Sequence, residues 1–104
     1  MQDWTETDVQ AAAREGDTFC VYAYTPMCGT CQVASKMLTV ALELVPQLTI
    51  GKMNVNFFPS IAKHCEIESV PCLLLYKEGK LIQKIYAFQS VPYLYTTLKE
   101  FLDN

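Results

Sequence analysis

Phe19-Cys20-Val21-Tyr22-Ala23-Tyr24-Thr25-Pro26-Met27-Cys28-Gly29-Thr30-Cys31 decides the fold. Its first six residues are apolar and rich in strand formers, and Thr25-Pro26 closes them as turn residues, so a strand is expected over Thr18–Tyr24. After the second cysteine, Ala34, Met37, Leu38, Ala41, Leu42 and Val45 recur at i, i+3, i+4 and i+7 spacing. That period predicts a helix from Cys28 to Val45, stopped by Pro46. Cysteines at i, i+3 at the mouth of a helix put two sulfurs on one face, one turn apart. The first sulfur lies beside unpaired N–H groups and the positive end of the helix dipole. That environment favours thiolate, the form that attacks a disulfide. The stretch reads as strand, dithiol, helix.

The competing reading of Cys28-Gly29-Thr30-Cys31 is half of a tetrahedral zinc or iron–sulfur site. Such a site needs two more ligands, and the chain has no second C-x-x-C and a single histidine. His64-Cys65 completes a Cys₃His set on paper, but no metal is expected.

Outward from the motif, Thr7-Asp8-Val9-Gln10 fits a capping box opening a first helix that ends at Gly16. Leu48–Val55 reads as a second strand and Ser60–Cys65 as a short helix. Cys72–Tyr76 and Leu81–Ala87 read as strands joined by Lys77-Glu78-Gly79-Lys80, a hairpin in which Gly79 supplies a positive φ. Ser90 as N-cap and Pro92 in the first turn start a last helix to Leu102. The order is αβαβαββα. Strands alternating with helices imply parallel pairing early, and the terminal hairpin implies an antiparallel edge. An α/β fold follows, a mixed sheet with helices on both faces.

The chain has 104 residues, 51% of them hydrophobic and 18% charged, which suits one globular domain spanning 1–104. A net charge of −3, with eight Lys and Arg in no dense run, supports neither nucleic-acid nor acidic-membrane binding. The first residues lack the basic and apolar regions of a signal peptide, and no apolar run nears the roughly 20 residues that span a bilayer. Five cysteines, an odd number, then suggest free thiols in a reducing compartment, so a cytoplasmic location is expected.

Four features in order resemble the thioredoxin family over about Asp3–Asp103: the strand–Cys28-Gly29-Thr30-Cys31–helix unit, Lys52 on the next strand, Val70-Pro71 opening a strand, and the Lys77–Lys80 hairpin. The resemblance implies the thioredoxin fold with a central sheet of four to five strands. Four are expected, since only Met1–Thr5 precede the first helix. It implies a thiol–disulfide oxidoreductase in which Cys28 is nucleophile and Cys31 resolving thiol. Pro71 would be the family's cis-proline, presenting the N–H and C=O of Val70 to a substrate strand. Met27, Gly29, Thr30, Val70, Pro71, Tyr86 and Ala87 would form the substrate groove. Disulfide-containing proteins would be the partners of a monomer with no bound cofactor, recharged by an NADPH-dependent flavoprotein thioredoxin reductase. The alternative is a redox-poor module that keeps the fold and binds partners as a scaffold.

The sequence departs from the family at five places. Met27 stands for its Trp and Thr30 for its Pro, the latter freeing an N–H and adding a hydroxyl near the sulfurs. Tyr22 replaces the buried Asp thought to take the resolving thiol's proton, so Lys52 is expected to lack its carboxylate partner. Lys36 replaces the proline that kinks the long helix, and Ala87 a groove glycine. Cys20 reads as a core residue, Cys65 as half-buried, and Cys72 as facing away from Pro71, with a third redox thiol there an open alternative. His64 reads as a surface residue and Trp4 as packing.

Overall fold

In the computed structural model, residues 1–103 are described. Ten elements follow in order: β1 (Gln2–Asp3), α1 (Glu6–Arg14), β2 (Phe19–Tyr24), α2 (Gly29–Glu43), β3 (Ile50–Asn54), a 3₁₀ turn (Val55–Phe57), α3 (Pro59–His64), β4 (Cys72–Lys77), β5 (Lys80–Ile85) and α4 (Val91–Asp103). The strands make one mixed sheet in the order β1-β3-β2-β4-β5. β3 runs parallel to both β1 and β2, while β4 is antiparallel to both β2 and β5.

β2 and β4 lie in the middle and are buried on both faces, which is why they read as unbroken apolar runs. One face carries α2 and α4, with Tyr22, Leu38, Leu73, Leu75, Leu94 and Leu98 between the layers. The other carries α1 and α3 over Val9, Phe19, Val21, Met53, Ile61 and Leu74. Among the described residues no helix is long and apolar enough to cross a membrane.

The fifth strand is the two-residue β1, one more strand than the four expected. It exists because Trp4 lies across Gly51 and packs 5.6 Å from Phe19, pinning the preceding residues alongside β3. A Cβ on Gly51 would overlap the indole. The capping box also sits two residues earlier than the Thr7–Gln10 pattern suggested. Thr5 Oγ1 accepts from the Asp8 N–H at 3.1 Å, and Asp8 Oδ2 accepts from the Thr5 N–H at 2.8 Å. Aspartate at the third helical position closes the reciprocal pair that Gln10 was expected to close.

The hairpin is tighter than its sequence implied. Its turn is Glu78-Gly79, with φ of 52° and 83°, so both central residues are left-handed, as a type I′ turn requires. Gly79 was foreseen there; Glu78 was not. Lys77 meanwhile reaches across to donate to the Phe101 carbonyl at 2.8 Å, satisfying an orphan acceptor at the end of α4.

Candidate active site

Cys28 is the N-cap of α2, one residue outside the helix, with extended backbone (φ −94°, ψ 108°). From there its Sγ accepts the Cys31 N–H at 3.0 Å, taking up one of the unpaired donors of the first turn. Cys28 and Cys31 are joined as a disulfide, their Cα atoms 5.2 Å apart. Cys28 is half-buried and Cys31 only 3% exposed, so the pair has an outer and an inner sulfur. Thr30 Oγ1 stands 3.3 Å from Cys28 Sγ, a polar contact that the family's proline could not supply.

The Val70–Pro71 bond is cis, and the Val70 carbonyl oxygen lies 3.9 Å from Cys28 Sγ. Thr30, Pro71 and Tyr86 share a groove of about 400 Å³ with Val33, Met37 and Phe88. Met27 stands clear of the surface at 96% exposure, and Gly29 and Ala87 are exposed. These two, with Met27 and Val70, do not line that groove. Sequence reasoning missed Val33, which is 60% exposed; its signal was an apolar residue two past Cys31 that falls outside the Ala34, Met37, Leu38 and Ala41 stripe.

Behind the inner sulfur the chemistry differs from an acid-bearing site. Tyr22 is 2% exposed, and its hydroxyl donates to the Cys31 carbonyl at 2.6 Å. Burial first, then the neighbouring Tyr24, pushes the Tyr22 phenol up to about 12. Tyr22 therefore pins the first turn of α2 and takes no proton at neutral pH. In Tyr22→Phe the Cys31 carbonyl loses this donor in a buried place, and a loss of about 1 kcal/mol is expected in urea denaturation of the oxidised protein.

Lys52 lacks a buried carboxylate, as Tyr22 in that place implies, but an exposed one lies near it. Asp3, Lys52 and Tyr22 face one another across β1, β3 and β2, and Asp3 Oδ1 lies 3.9 Å from Lys52 Nζ. This acid stands at the outer end of the row, where Asp3 is 75% exposed and the pair contributes little to stability. One strand, β3, separates it from β2, which a motif reading cannot see. A cavity of about 410 Å³ opens between Cys31, Tyr22, Tyr24, Ser35, Lys36 and Lys52, on the side of the inner cysteine where Tyr22 stands.

The remaining cysteines are all buried. Cys20 is core, as expected, and Cys72 lies in the α1/α3 layer with no exposure. Cys65, expected to be half-buried, is 6% exposed with its sulfur 3.2 Å from the Tyr76 hydroxyl, because it caps α3 facing inward. Burial raises the Cys20 thiol to about 12 and that of Cys72 to about 11, so neither is a ready thiolate. His64 is exposed. Among the described residues no three His, Cys, Asp or Glu side chains converge on a metal position, so His64 and Cys65 do not join the motif.

These groups set an alkaline limit. A folded pKa raised above the unfolded value means that the native state holds its proton longer. Stability is then fully present below the unfolded value and lost as pH climbs through the folded one. Cys20 and Cys72 start from 9.0 and Tyr22 from 10.0. The melting temperature of the oxidised protein is expected to hold up to pH of about 9 and fall steadily from there towards 12. A melting temperature flat from pH 8 to 11, followed by circular dichroism, would contradict this.

A profile of the Thioredoxin family matches residues 3–100. Over 86 residues, 83% of this chain and 81% of the other, the sequence is 54% identical to the thioredoxin-like protein YusE of Bacillus subtilis. Over 79 residues, 76% of this chain and 62% of the other, it is 32% identical to the mitochondrial thioredoxin-3 of Saccharomyces cerevisiae. The oxidised crystal structure of the yeast mitochondrial thioredoxin 3 superposes with a TM-score of 0.79 at 27% identity, covering 100% of this chain and 95% of that one.

Proposed function

This chain belongs to the thioredoxin family and is a thiol–disulfide oxidoreductase, and from that premise we propose that Cys28 is its nucleophile, Cys31 its resolving thiol and protein disulfides its substrates. The placing of Cys28 carries the reading: its sulfur is the outer one, at a helix N-terminus, and it accepts an N–H that would stabilise a thiolate. The Cys28 thiolate attacks one sulfur of a partner disulfide, and the other partner sulfur leaves as a thiolate. Cys31 then gives up its proton and attacks Cys28 Sγ, expelling the second partner sulfur. The partner gains two electrons and takes up two protons, and the Cys28–Cys31 disulfide is left. With Tyr22 committed to the Cys31 carbonyl, the Cys31 proton leaves, in this proposal, to solvent through the cavity that Cys31 and Lys52 line.

Family members work without a bound cofactor. Electrons for the next cycle come, in this proposal, from NADPH through a flavoprotein thioredoxin reductase. Three buried unpaired thiols fit a reducing compartment, and the cytoplasm is the proposed location. Insulin reduction coupled to NADPH and thioredoxin reductase tests the reading: insulin should precipitate as NADPH is consumed. A reduced protein that leaves insulin intact while still binding partners would instead make the chain a scaffold.

A further inference from the structure

The seven residues from Cys65 to Pro71 join α3 to β4 and end beside Cys28 Sγ. Their first backbone bonds run back to α3, from the N–H groups of Cys65, Glu66 and Ile67 to Ile61, Lys63 and Ala62. Among the described residues no backbone–backbone bond holds Glu68, Ser69 or Val70. Glu66 moreover sits in the left-handed region with φ of 53°, which a side chain-bearing residue adopts at a cost of about 1–3 kcal/mol. A short connection, strained at one end and without backbone bonds at the other, carries the Val70 carbonyl that lies 3.9 Å from the outer sulfur.

Two side chains of the β5 edge meet this segment. Lys84 Nζ donates to the Cys65 carbonyl at 2.9 Å and to the Glu66 carbonyl at 3.0 Å. Two residues on, the Tyr86 hydroxyl accepts the Glu68 N–H at 3.2 Å and makes a longer, 3.5 Å contact to the Glu66 carbonyl. Lys84 reaches the segment from β5 and Tyr86 from the first residue after that strand. Their four contacts fall on Cys65, Glu66 and Glu68, where the segment leaves α3. Lys84 also places a cation against the carbonyl end of a helix, the end that favours one.

We propose that Lys84 and Tyr86 are positioning residues for partner recognition: from β5 and the residue just past its end they clamp the Cys65–Glu68 segment and so fix the Val70 edge against which a disulfide-bearing chain lies. This rests on reading the site as a protein-disulfide exchange centre. Neither side chain is required to touch the reacting sulfurs. Losing the clamp loosens the edge without altering the N-terminus of α2.

The test is steady-state insulin reduction, with iodoacetamide alkylation of Cys28 in the reduced protein as a separate readout. Lys84→Met should raise KM for insulin about fivefold, which is about 1 kcal/mol at 1.4 kcal/mol per decade, with kcat little changed. Tyr86→Phe should act in the same direction, and the double variant should exceed either. Lys84→Arg keeps donors on a long cationic side chain and should bring KM most of the way back. Cys28 alkylation should match wild type in all four variants, which a general disturbance of the fold would not allow. An unchanged KM in the double variant overturns the positioning role alone, provided that the wild type reduces insulin. An equal fall in KM-independent turnover and in Cys28 alkylation overturns it too, since the damage would then lie in the sulfur chemistry. A wild type that reduces no insulin overturns the functional reading, and the clamp's role with it.

Discussion

Cys28→Ser is expected to lower NADPH-coupled insulin reduction to the uncatalysed background, and Cys31→Ser to leave a protein that captures its targets and holds them. The first result follows from the nucleophile. An alcohol at position 28 is scarcely ionised at neutral pH, and, having no sulfur, it forms no mixed disulfide for Cys31 to attack in the second step, whatever the N-cap geometry offers. The second follows from burial: Cys31 is the inner sulfur, 3% exposed, and its task begins once Cys28 is occupied by the partner. Non-reducing gels of Cys31→Ser incubated with oxidised insulin should show a mixed disulfide that dithiothreitol dissolves. Substantial turnover by Cys28→Ser would transfer the nucleophile's role elsewhere, and the buried Cys20, Cys65 and Cys72 are poor candidates for it.

The largest effect on stability is expected from Phe19→Ala. Phe19 has no exposed surface and stacks on Tyr76, its cross-strand partner, with centroids 4.5 Å apart and planes 8° from parallel. Its other side meets Trp4. Truncating a buried phenylalanine removes about 3–5 kcal/mol, from transfer and cavity together. Domains of this size hold about 5–15 kcal/mol in all, so the variant sits close to unfolding at 37 °C. Urea denaturation should show a midpoint far below wild type with little change in slope. Ile82→Ala, at a residue 56% exposed, should change the unfolding free energy by no more than about 0.5 kcal/mol in the same assay.

Local signals were the legible ones. The strand–dithiol–helix unit, the hairpin and the buried central strands are written in neighbouring residues, and all appear where they were read, their ends shifted by a residue or two. Contacts made across strands were not legible. Asp3 reaches Lys52 because β1 lies parallel to β3, and no spacing in the sequence announces that. Nothing in the sequence around Lys84 points to its role, since its acceptors lie 18 and 19 residues away. Tyr22 was identified as the replacement for an acid, but the hydrogen bond to the Cys31 carbonyl emerges once α2 is packed on the sheet. Cys65 was misjudged because a short helix of six residues gives too little periodicity to tell its inner face from its outer one.

The overlap between Trp4 and position 51 has a consequence for how this sequence can drift. Gly51 is buried, and the space in which its side chain would lie is already taken by the indole. Any lineage that replaces Gly51 while keeping Trp4 must expel the ring, and with it the anchor of β1 and the Asp3 carboxylate opposite Lys52. Residue 51 can gain a side chain once residue 4 has become small, so the two sites are open to change as a pair, in one order.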